Sequence, residues 1–184
     1  MNIAVYCSAK DTIADCYLQL GVRLGQWLAE NNHTLVYGGA TGGLMTMVSR
    51  ACIEAQGKVI GVVPERILKA GRRSPWCTQT YEVNNMSERK QMMRQLSDCF
   101  VCLPGSYGTL DEMFDVIASG TVGEHRKTIY IINYQGFYSP LIEQVEKMKQ
   151  EIFIPQEEIY KPVFLNSLDE LFESLSNLEL TINK

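Results

Sequence analysis

Histidine is scarce in this sequence, and long hydrophobic runs are absent. The chain has 2 histidines, His33 and His125, which lie far apart and lack the spacing of metal ligands, so we expect them at the surface or in turns. No apolar stretch approaches the roughly 20 residues that a membrane-spanning helix needs. The opening residues, MNIAVYCSAK, have neither the basic leader nor the apolar stretch of a signal peptide. We therefore expect neither a membrane anchor nor secretion.

An excess of positive charge is also lacking. The chain carries 17 Lys and Arg against 21 Asp and Glu, which gives a formal net charge of -4. Such a balance argues against a general nucleic-acid coat and against a polybasic membrane anchor. Internal repeats, low-complexity segments and linkers are absent too, and 184 residues with 46% hydrophobic residues suffice for one core. We expect residues 1–184 to form a single domain.

The cysteines are scattered and mostly lie in apolar runs, as expected of reduced, buried thiols in the cytoplasm. Cys99 and Cys102 form a C-x-x-C pattern inside the predicted strand Cys99–Leu103. Side chains three positions apart on a strand face opposite sides, so this pattern argues against a redox pair or a zinc site. The full set is Cys7, Cys16, Cys52, Cys77, Cys99 and Cys102.

Short apolar runs alternate with helical patterns along the chain. Runs such as VIGVV and IYII are continuous, which is typical of strands covered on both faces. The predicted strands are Ile3–Cys7, Thr34–Tyr37, Val59–Val63, Thr80–Val83, Cys99–Leu103 and Thr128–Ile132. Helical patterns cover Ile13–Leu28, Leu44–Ala55, Ser87–Leu96, Leu110–Ser119, Pro140–Ile152 and Leu168–Leu175, with Ser139 as the expected N-cap before Pro140. This alternation predicts an α/β fold with a mostly parallel sheet of six to seven strands and helices on both faces.

In such a sheet, ligands bind outside the carboxyl ends of the strands, where glycine-rich segments occur in this chain. The segment YGGATGGLM, Tyr37–Met45, leads from a strand into a helix. Its glycines allow a phosphate to approach free backbone N–H groups at the helix start. They are equally compatible with a tight turn that simply needs glycine.

A second segment, LPGSYGTLDE, also joins a strand to a helix. Thr109 is a candidate helix cap, and Glu112 follows it at capping-box spacing. Glu112 therefore has two compatible interpretations: it bonds back to the cap, or it presents a carboxylate at the floor of a phosphate site.

A third segment, MSERKQM, places Arg89 and Lys90 in the first turn of a helix, where the helix dipole disfavours cations. Their position points to a nearby anion, which Arg89 would grip with its fork of donors and Lys90 with a point charge. The alternative is an ordinary solvated helix face.

These segments together resemble the Lonely Guy family of cytokinin riboside 5'-monophosphate phosphoribohydrolases, formerly labelled lysine decarboxylases. That family carries Y-G-G-G-x-x-G-L-M, M-x-x-R-K and P-G-G-x-G-T-x-x-E, which stand here as YGGATGGLM, MSERK and PGSYGTLDE. The segments GVVPE and NYQGFYSPLI extend the resemblance over most of the chain. The chain departs from the pattern at Ala40, Thr46 and Ser106, in the opening CSAK and at Ile117–Gly120, where the family often has W-x-Q.

The resemblance implies a Rossmann-like three-layer nucleotide-binding domain that hydrolyses the N-glycosidic bond of a purine nucleoside 5'-monophosphate of the cytokinin or AMP type. The products would be free base and ribose 5-phosphate. The family's catalytic pair maps to Arg89 and Glu112, with the carboxylate stabilising positive charge on the ribose and orienting water. Neither a metal nor a cofactor is expected. The implied substrate and phosphate ligands are Gly39, Gly42, Gly43, Met86, Lys90, Gly105, Ser106, Gly108 and Thr109.

The resemblance also implies a cytoplasmic homodimer that binds neither nucleic acid nor membrane. The helix Met86–Met93 is the candidate interface, because its methionines exceed what a solvated face needs. Two other functions compete with the hydrolase. One is a non-catalytic nucleotide or molybdenum-cofactor binder with similar glycine loops. The other is a lysine decarboxylase dependent on pyridoxal phosphate, which is disfavoured because no lysine has a convincing Schiff-base context.

Overall fold

A parallel β-sheet organises the protein, as seen in a computed structural model that describes residues 1–155, 157 and 160–182. Within these residues the sheet has seven strands in the order β4-β3-β2-β1-β5-β6-β7. The strands are β1 (Asn2–Tyr6), β2 (Thr34–Tyr37), β3 (Lys58–Pro64), β4 (Gln79–Val83), β5 (Cys99–Cys102), β6 (Ile129–Ile132) and β7 (Val163–Leu165). The helices are α1 (Asp15–Glu30), α2 (Gly43–Glu54), α3 (Glu65–Lys69), α4 (Met86–Leu96), α5 (Tyr107–Thr121), α6 (Ser139–Gln150) and α7 (Leu168–Ile182).

Side-chain alternation along the strands divides the core between the two faces of the sheet. On β1, Ile3 and Val5 pack with buried residues of α1, α2 and α7, whereas Ala4 and Tyr6 pack with buried residues of α4 and α5. Both faces are covered, which explains why the strands read as continuous apolar runs. The predicted three-layer α/β architecture is therefore confirmed. No helix among the described residues combines the length and the apolarity required to cross a bilayer.

The central strand β1 marks a switch in topology. β1 pairs with β2 on one side and with β5 on the other, with Ile3 opposite both Leu35 and Cys99. The chain builds β2, β3 and β4 outwards, then crosses from β4 to the opposite side of β1. Such a reversal opens a crevice at the carboxyl ends of the central strands, the usual ligand site of open α/β sheets. The fold thus directs attention to the loops that follow β1, β2 and β5.

Helices α1 and α2 pack unusually close because α1 presents glycine to α2. A side chain at Gly25 would clash with the carbonyl oxygen of Val48, and its Cβ would lie 3.0 Å from the Ala51 Cβ. One turn earlier, a Cβ at Gly21 would lie 3.0 Å from the side chains of Leu44 and Met47. The start of α2 is therefore held by backbone-level contact with α1, which positions the loop that precedes it.

Six strands occur where the sequence predicts them, and the differences have local causes. The seventh, β7, has three residues after a proline-containing loop and is too short to show a pattern. The five-residue α3 has no buried residue and hence no apolar stripe. Helix α6 starts at Ser139 with Tyr138 as its N-cap, so Ser139 is the first helical residue and not the cap.

The cysteines and histidines occupy structural positions. Cys99 and Cys102 pack on opposite faces of the sheet, as predicted, and all six cysteines are free thiols. His33 directly follows the turn at Asn31 and Asn32, in keeping with the expected turn position, but its side chain is buried and not at the surface. Its ring is buried 5.2 Å from that of Trp27, and burial lowers its pKa. His125 is partly buried, with Nε2 3.0 Å from the Val116 carbonyl oxygen.

Replacing Gly25 with alanine tests the close helix contact. We expect Gly25→Ala to lower the free energy of unfolding by about 1–3 kcal/mol, because the new methyl group forces α1 away from α2. Gly108→Ala is the matched control: it gains the same helix propensity in α5, but no atom lies within 4 Å of the added carbon. Denaturant unfolding measures both variants. Equal stability of the two would contradict the proposed contact.

Candidate active site

The carboxyl ends of the central strands bring the predicted segments together. The loop after β1 meets the loop after β5 where the Ser8 N–H donates to the Pro104 carbonyl, 3.3 Å away. The same loop meets α2, because the Met45 N–H donates to the Ser8 carbonyl over 3.3 Å. Segments that are distant in sequence therefore meet at this edge of the sheet, as the parallel topology predicts.

Arg89 of α4 and Glu112 of α5 form a buried ion pair at this edge of the sheet. Arg89 Nη1 lies 2.7 Å from Glu112 Oε1, and the two side chains are only 11% and 7% exposed. The alignment is poor for a hydrogen bond, so Oε1 has no properly directed donor, and Arg89 Nε has no acceptor among the described residues. Both atoms thus retain hydrogen-bonding capacity at the centre of the site.

The sequence did not single out Gly38, although it makes room for the guanidinium. A side chain at Gly38 would clash with Arg89 Nη2. Gly38 follows β2 directly, so the strand end and the arginine occupy adjoining space. The run of glycines after Tyr37 is the signal that pointed to this position, but only the packing reveals that Arg89 is the neighbour.

Burial sets the electrostatics of the pair. Burial raises the pKa of Glu112 above its ordinary value of 4.5, and the charge of Arg89 opposes that rise. Tyr6 and Cys7, at the end of β1, also have raised pKa values, first because of burial and second because of the Glu112 charge. The Glu112 carboxylate therefore lies in a dry environment, and the neighbouring Tyr6 and Cys7 stay neutral.

Glu112 does not form the capping box that its spacing suggested. Helix α5 begins at Tyr107 with Ser106 as its N-cap, so Thr109 lies inside the first turn. Thr109 is buried, and a side chain at Gly105 would clash with its hydroxyl. With the cap three residues earlier, Glu112 is in the second turn and points towards Arg89. Of its two interpretations from sequence, the capping role is wrong.

The first glycine segment owes its glycines to backbone conformation. Gly39, Gly42 and Gly43 have φ values of +62°, +122° and +44°, a region that side chains rarely adopt. Side chains at Gly42 and Gly43 would also clash with the carbonyl oxygens of Ala9 and Lys10. A tight strand-to-helix turn against the loop after β1 therefore suffices to explain these glycines.

The amides of this turn have partners within the chain. The Gly42 N–H donates to Thr46 Oγ1 over 2.7 Å, and the Gly43 N–H donates to the Asp11 carboxylate over 2.8 Å. The Thr41 N–H donates to the Arg72 carbonyl over 3.0 Å. Phosphate binding by Gly42 and Gly43 stays a prediction, and it would require these amides to exchange partners. Asp11, which sequence analysis missed, occupies the position of an anion at the start of α2.

The start of α5 differs from the start of α2, because a cleft lies next to it. This cleft has a volume of about 320 Å³, and the side chain of the N-cap residue Ser106 makes no capping hydrogen bond. Gly108 has open space around it. The cleft is lined by Ser8, Lys10, Ile13, Ala14, Tyr17, Pro104, Gly105, Ser106 and Phe137. Of the predicted phosphate ligands, Gly105 and Ser106 therefore border the cleft itself.

A second cavity, of about 590 Å³, contains Met86 and lies at the ends of β3 and β4. Its wall includes Arg66, Arg72, Asn84 and Asn85. Met86 is also within 3.9 Å of Arg89 Nη1 through its sulfur. The larger cavity of about 730 Å³ between α5 and α6 contains none of the predicted site residues.

Lys90 does not line either cavity at the strand ends. Its Nζ lies 2.9 Å from Asp111 Oδ1 and 3.3 Å from Asp115 Oδ1. Burial lowers the pKa of Lys90, but the two carboxylates outweigh it, so the net shift is upward. A lysine held protonated in this way is unsuited to form a Schiff base. Among the residues described, no group of three His, Cys, Asp or Glu side chains is arranged to hold a metal ion.

Comparison with known proteins shows which family the chain belongs to. Residues 45–175 match the family model described as "Possible lysine decarboxylase". The chain is 34% identical to a cytokinin riboside 5'-monophosphate phosphoribohydrolase of Arabidopsis thaliana, over 95% of its own length and 76% of the relative's. It belongs to the Lonely Guy family. A cytokinin riboside 5'-monophosphate phosphoribohydrolase of Oryza sativa subsp. japonica is 36% identical over 85% of this chain and 64% of the relative.

Solved structures share the fold beyond the Lonely Guy family. The molybdenum cofactor carrier protein of Chlamydomonas reinhardtii superposes with a TM-score of 0.73, covering 97% of this chain and 98% of that one. Its sequence is only 18% identical, so the likeness concerns the fold alone.

The raised pKa of Glu112 predicts a pH-dependent stability when Arg89 is removed. In Arg89→Met the opposing cation is lost, so the pKa of Glu112 rises further above its unfolded value. Protonation then favours the folded state, and the free energy of unfolding falls as the pH rises from 4.5 through the folded pKa. The loss is about 1.4 kcal/mol for each pH unit between the two pKa values.

The double variant Arg89→Met/Glu112→Gln is the control, because it lacks the titrating group. Denaturant unfolding between pH 5 and pH 8, covering roughly the range of a raised carboxyl pKa, compares the two variants. Identical pH profiles would show that Glu112 is not destabilised by burial.

Proposed function

We propose that this protein hydrolyses the N-glycosidic bond of a purine nucleoside 5'-monophosphate. Water supplies a hydroxyl to the ribose C1' and a proton to the departing base, so the products are free base and ribose 5-phosphate. The observation that carries the proposal is the buried Arg89–Glu112 pair at the carboxyl ends of the sheet. Family membership and the activity for which the relatives are named support the same chemistry.

Glu112 acts on the ribose. Breaking the glycosidic bond builds positive charge at the sugar, and a carboxylate in a dry site stabilises that charge more strongly than it would in water. The same carboxylate can accept a proton from the attacking water, and its raised pKa makes it a better base than an exposed glutamate. Activity therefore depends on the ionised form and decreases as the pH falls through the pKa of Glu112.

Arg89 keeps Glu112 ionised and helps to position the nucleotide. Its charge opposes the effect of burial on the Glu112 pKa, so more of the carboxylate is ionised at a given pH. The Nε atom, which has no acceptor in the described part of the chain, is a donor for a substrate oxygen. One arginine thus serves both the catalytic carboxylate and the bound ligand.

The phosphate binds at the start of α5 in this proposal. Gly105, Ser106, Gly108 and Thr109 surround the helix start, whose dipole favours an anion. The cleft there has space, whereas the amides of Gly42 and Gly43 are engaged. The base then extends past the Arg89–Glu112 pair towards Met86.

A non-catalytic binder is the second candidate, because the carrier protein of Chlamydomonas reinhardtii shares the fold. The Arg89–Glu112 pair favours the hydrolase, since a protein that only binds has no need of a destabilised buried carboxylate.

A homodimer also remains part of our proposal. Met93 cannot serve as its contact, because this side chain is fully buried within the protomer, while Met86 is 45% exposed.

Product analysis on a panel of nucleoside monophosphates tests the function. We expect chromatography to detect free base and ribose 5-phosphate from at least one of AMP, its N6-isopentenyl derivative, GMP and IMP. Binding of a nucleotide, seen as thermal stabilisation, without any base release would instead support the carrier-like alternative.

Two substitutions test the catalytic pair on the accepted substrate. We expect Glu112→Gln and Arg89→Ala each to lower kcat/KM by about 100-fold or more. Glu112→Gln loses the carboxylate that stabilises positive charge on the ribose, whereas Arg89→Ala leaves Glu112 less ionised and removes a donor to the nucleotide. Glu54→Gln is the matched control, since Glu54 is exposed and pairs only with Arg50 in the part of the chain described. Wild-type turnover by either site variant would refute the assigned roles.

A further inference from the structure

The residues next to the catalytic pair form a second ion pair, parallel to the first. Lys90 follows Arg89 on α4, and Asp111 precedes Glu112 on α5. Lys90–Asp111 is called the outer pair below, and Arg89–Glu112 the inner pair. We propose that Lys90 and Asp111 are positioning residues that clamp α4 to α5 and thereby hold Arg89 against Glu112. This inference rests on the proposed hydrolase function, and it replaces the phosphate-binding role that the sequence suggested for Lys90.

The geometry of Lys90 supports a clamp. Its ammonium lies 2.9 Å from Asp111 and 3.3 Å from Asp115, and the side chain is only 17% exposed. An ammonium group has three donors and no acceptor. Two of its directions are committed to carboxylates on α5, so a substrate phosphate would have to compete with both.

The clamp continues along the seam between the helices. One turn after Lys90, Arg94 contacts Asp115 and lies 3.6 Å from Glu124. Asp115 thus pairs with two of the three cations of α4, Lys90 and Arg94, while Asp111 pairs only with Lys90 among the described residues. Asp111 is the member whose loss removes the outer pair and leaves the Arg94 contacts in place.

Alignment matters because the inner pair is close but poorly directed. Arg89 Nη1 and Glu112 Oε1 are 2.7 Å apart but poorly aligned, so this contact constrains the relative position of α4 and α5 less tightly than a well-directed bond would. A shift of about 1 Å in a catalytic group can cost about 100-fold in rate. The outer pair tightens this constraint.

Lys90 and Asp111 act on the pKa of Glu112 in opposite directions, so a loss of rate in both variants cannot come from that pKa alone. The charge of Lys90 lowers the pKa of Glu112, and the charge of Asp111 raises it. Removing Lys90 should therefore raise that pKa, and removing Asp111 should lower it. The titratable or charged groups around Glu112 are Arg89 and Lys90 on α4, Asp111 on α5, Tyr6 and the adjoining Cys7 at β1, and Cys102 on β5.

The experiment compares Lys90→Met, Asp111→Asn and the conservative Lys90→Arg. We expect Lys90→Met and Asp111→Asn each to lower kcat by about tenfold or more with little change in KM, and Lys90→Arg to restore most of the rate. Carbon-13 NMR of the Glu112 carboxyl, assigned with Glu112→Gln, should show its pKa moving up in Lys90→Met and down in Asp111→Asn. Circular dichroism establishes that each variant is folded, and Asp111→Asn provides the test if Lys90→Met does not fold.

The clamp is overturned if Lys90→Met raises KM for the monophosphate and weakens ribose 5-phosphate binding in calorimetry while kcat stays unchanged. It is also overturned if Asp111→Asn has the kcat of the wild type. The NMR titration requires no hydrolysis. Absence of base release from the wild type, with the two opposite pKa shifts present, would therefore refute the proposed function and leave the coupling of the outer pair to Glu112 intact.

Discussion

The buried contact between Arg89 and Glu112 is the constraint around which the site is built. Two opposite charges are removed from water at the edge of an apolar core, and each is tolerable only beside the other. Loss of one partner leaves an uncompensated buried charge, a defect that typically costs about 3–5 kcal/mol. Gly38 supplies the space for the guanidinium, and the early start of α5 at Tyr107 turns the carboxylate inwards. The contact between Arg89 and Glu112 thus depends on two backbone features that are far apart in sequence, Gly38 and the start of α5.

The two helix starts at the crevice have different electrostatic roles. At α2 the chain places its own carboxylate, Asp11, on the Gly43 amide. At α5 the N-cap residue Ser106 makes no side-chain capping bond, and a cleft adjoins the helix start. Two segments that look alike as glycine-rich strand-to-helix turns therefore differ in what they offer to a ligand. In the function we propose, this asymmetry directs the phosphate to α5.

Much of the fold could be predicted from sequence, because strands covered on both faces leave continuous apolar runs. The runs of β3 and β6 are examples, whereas β7 is too short to leave one. The site was predicted as a set of residues but not as a set of contacts. Thr109 has acceptable capping chemistry, and only the packing shows that Ser106 occupies the cap. The partners of Gly43 and Lys90 lie tens of residues away, and local patterns carry no information about them.

The crossing of the chain from β4 to β5 has a consequence for how the protein folds. Strands β1 to β4 follow one another along the chain, but β5 must return to β1, pairing Cys99 with Ile3. Closing so long a loop costs more conformational entropy than joining successive strands, so this pairing is disfavoured as an early event. Arg89 precedes β5 and Glu112 follows it. The two residues therefore flank the strand that returns to β1, and the docking of β5 places both of them at the carboxyl edge of the completed sheet.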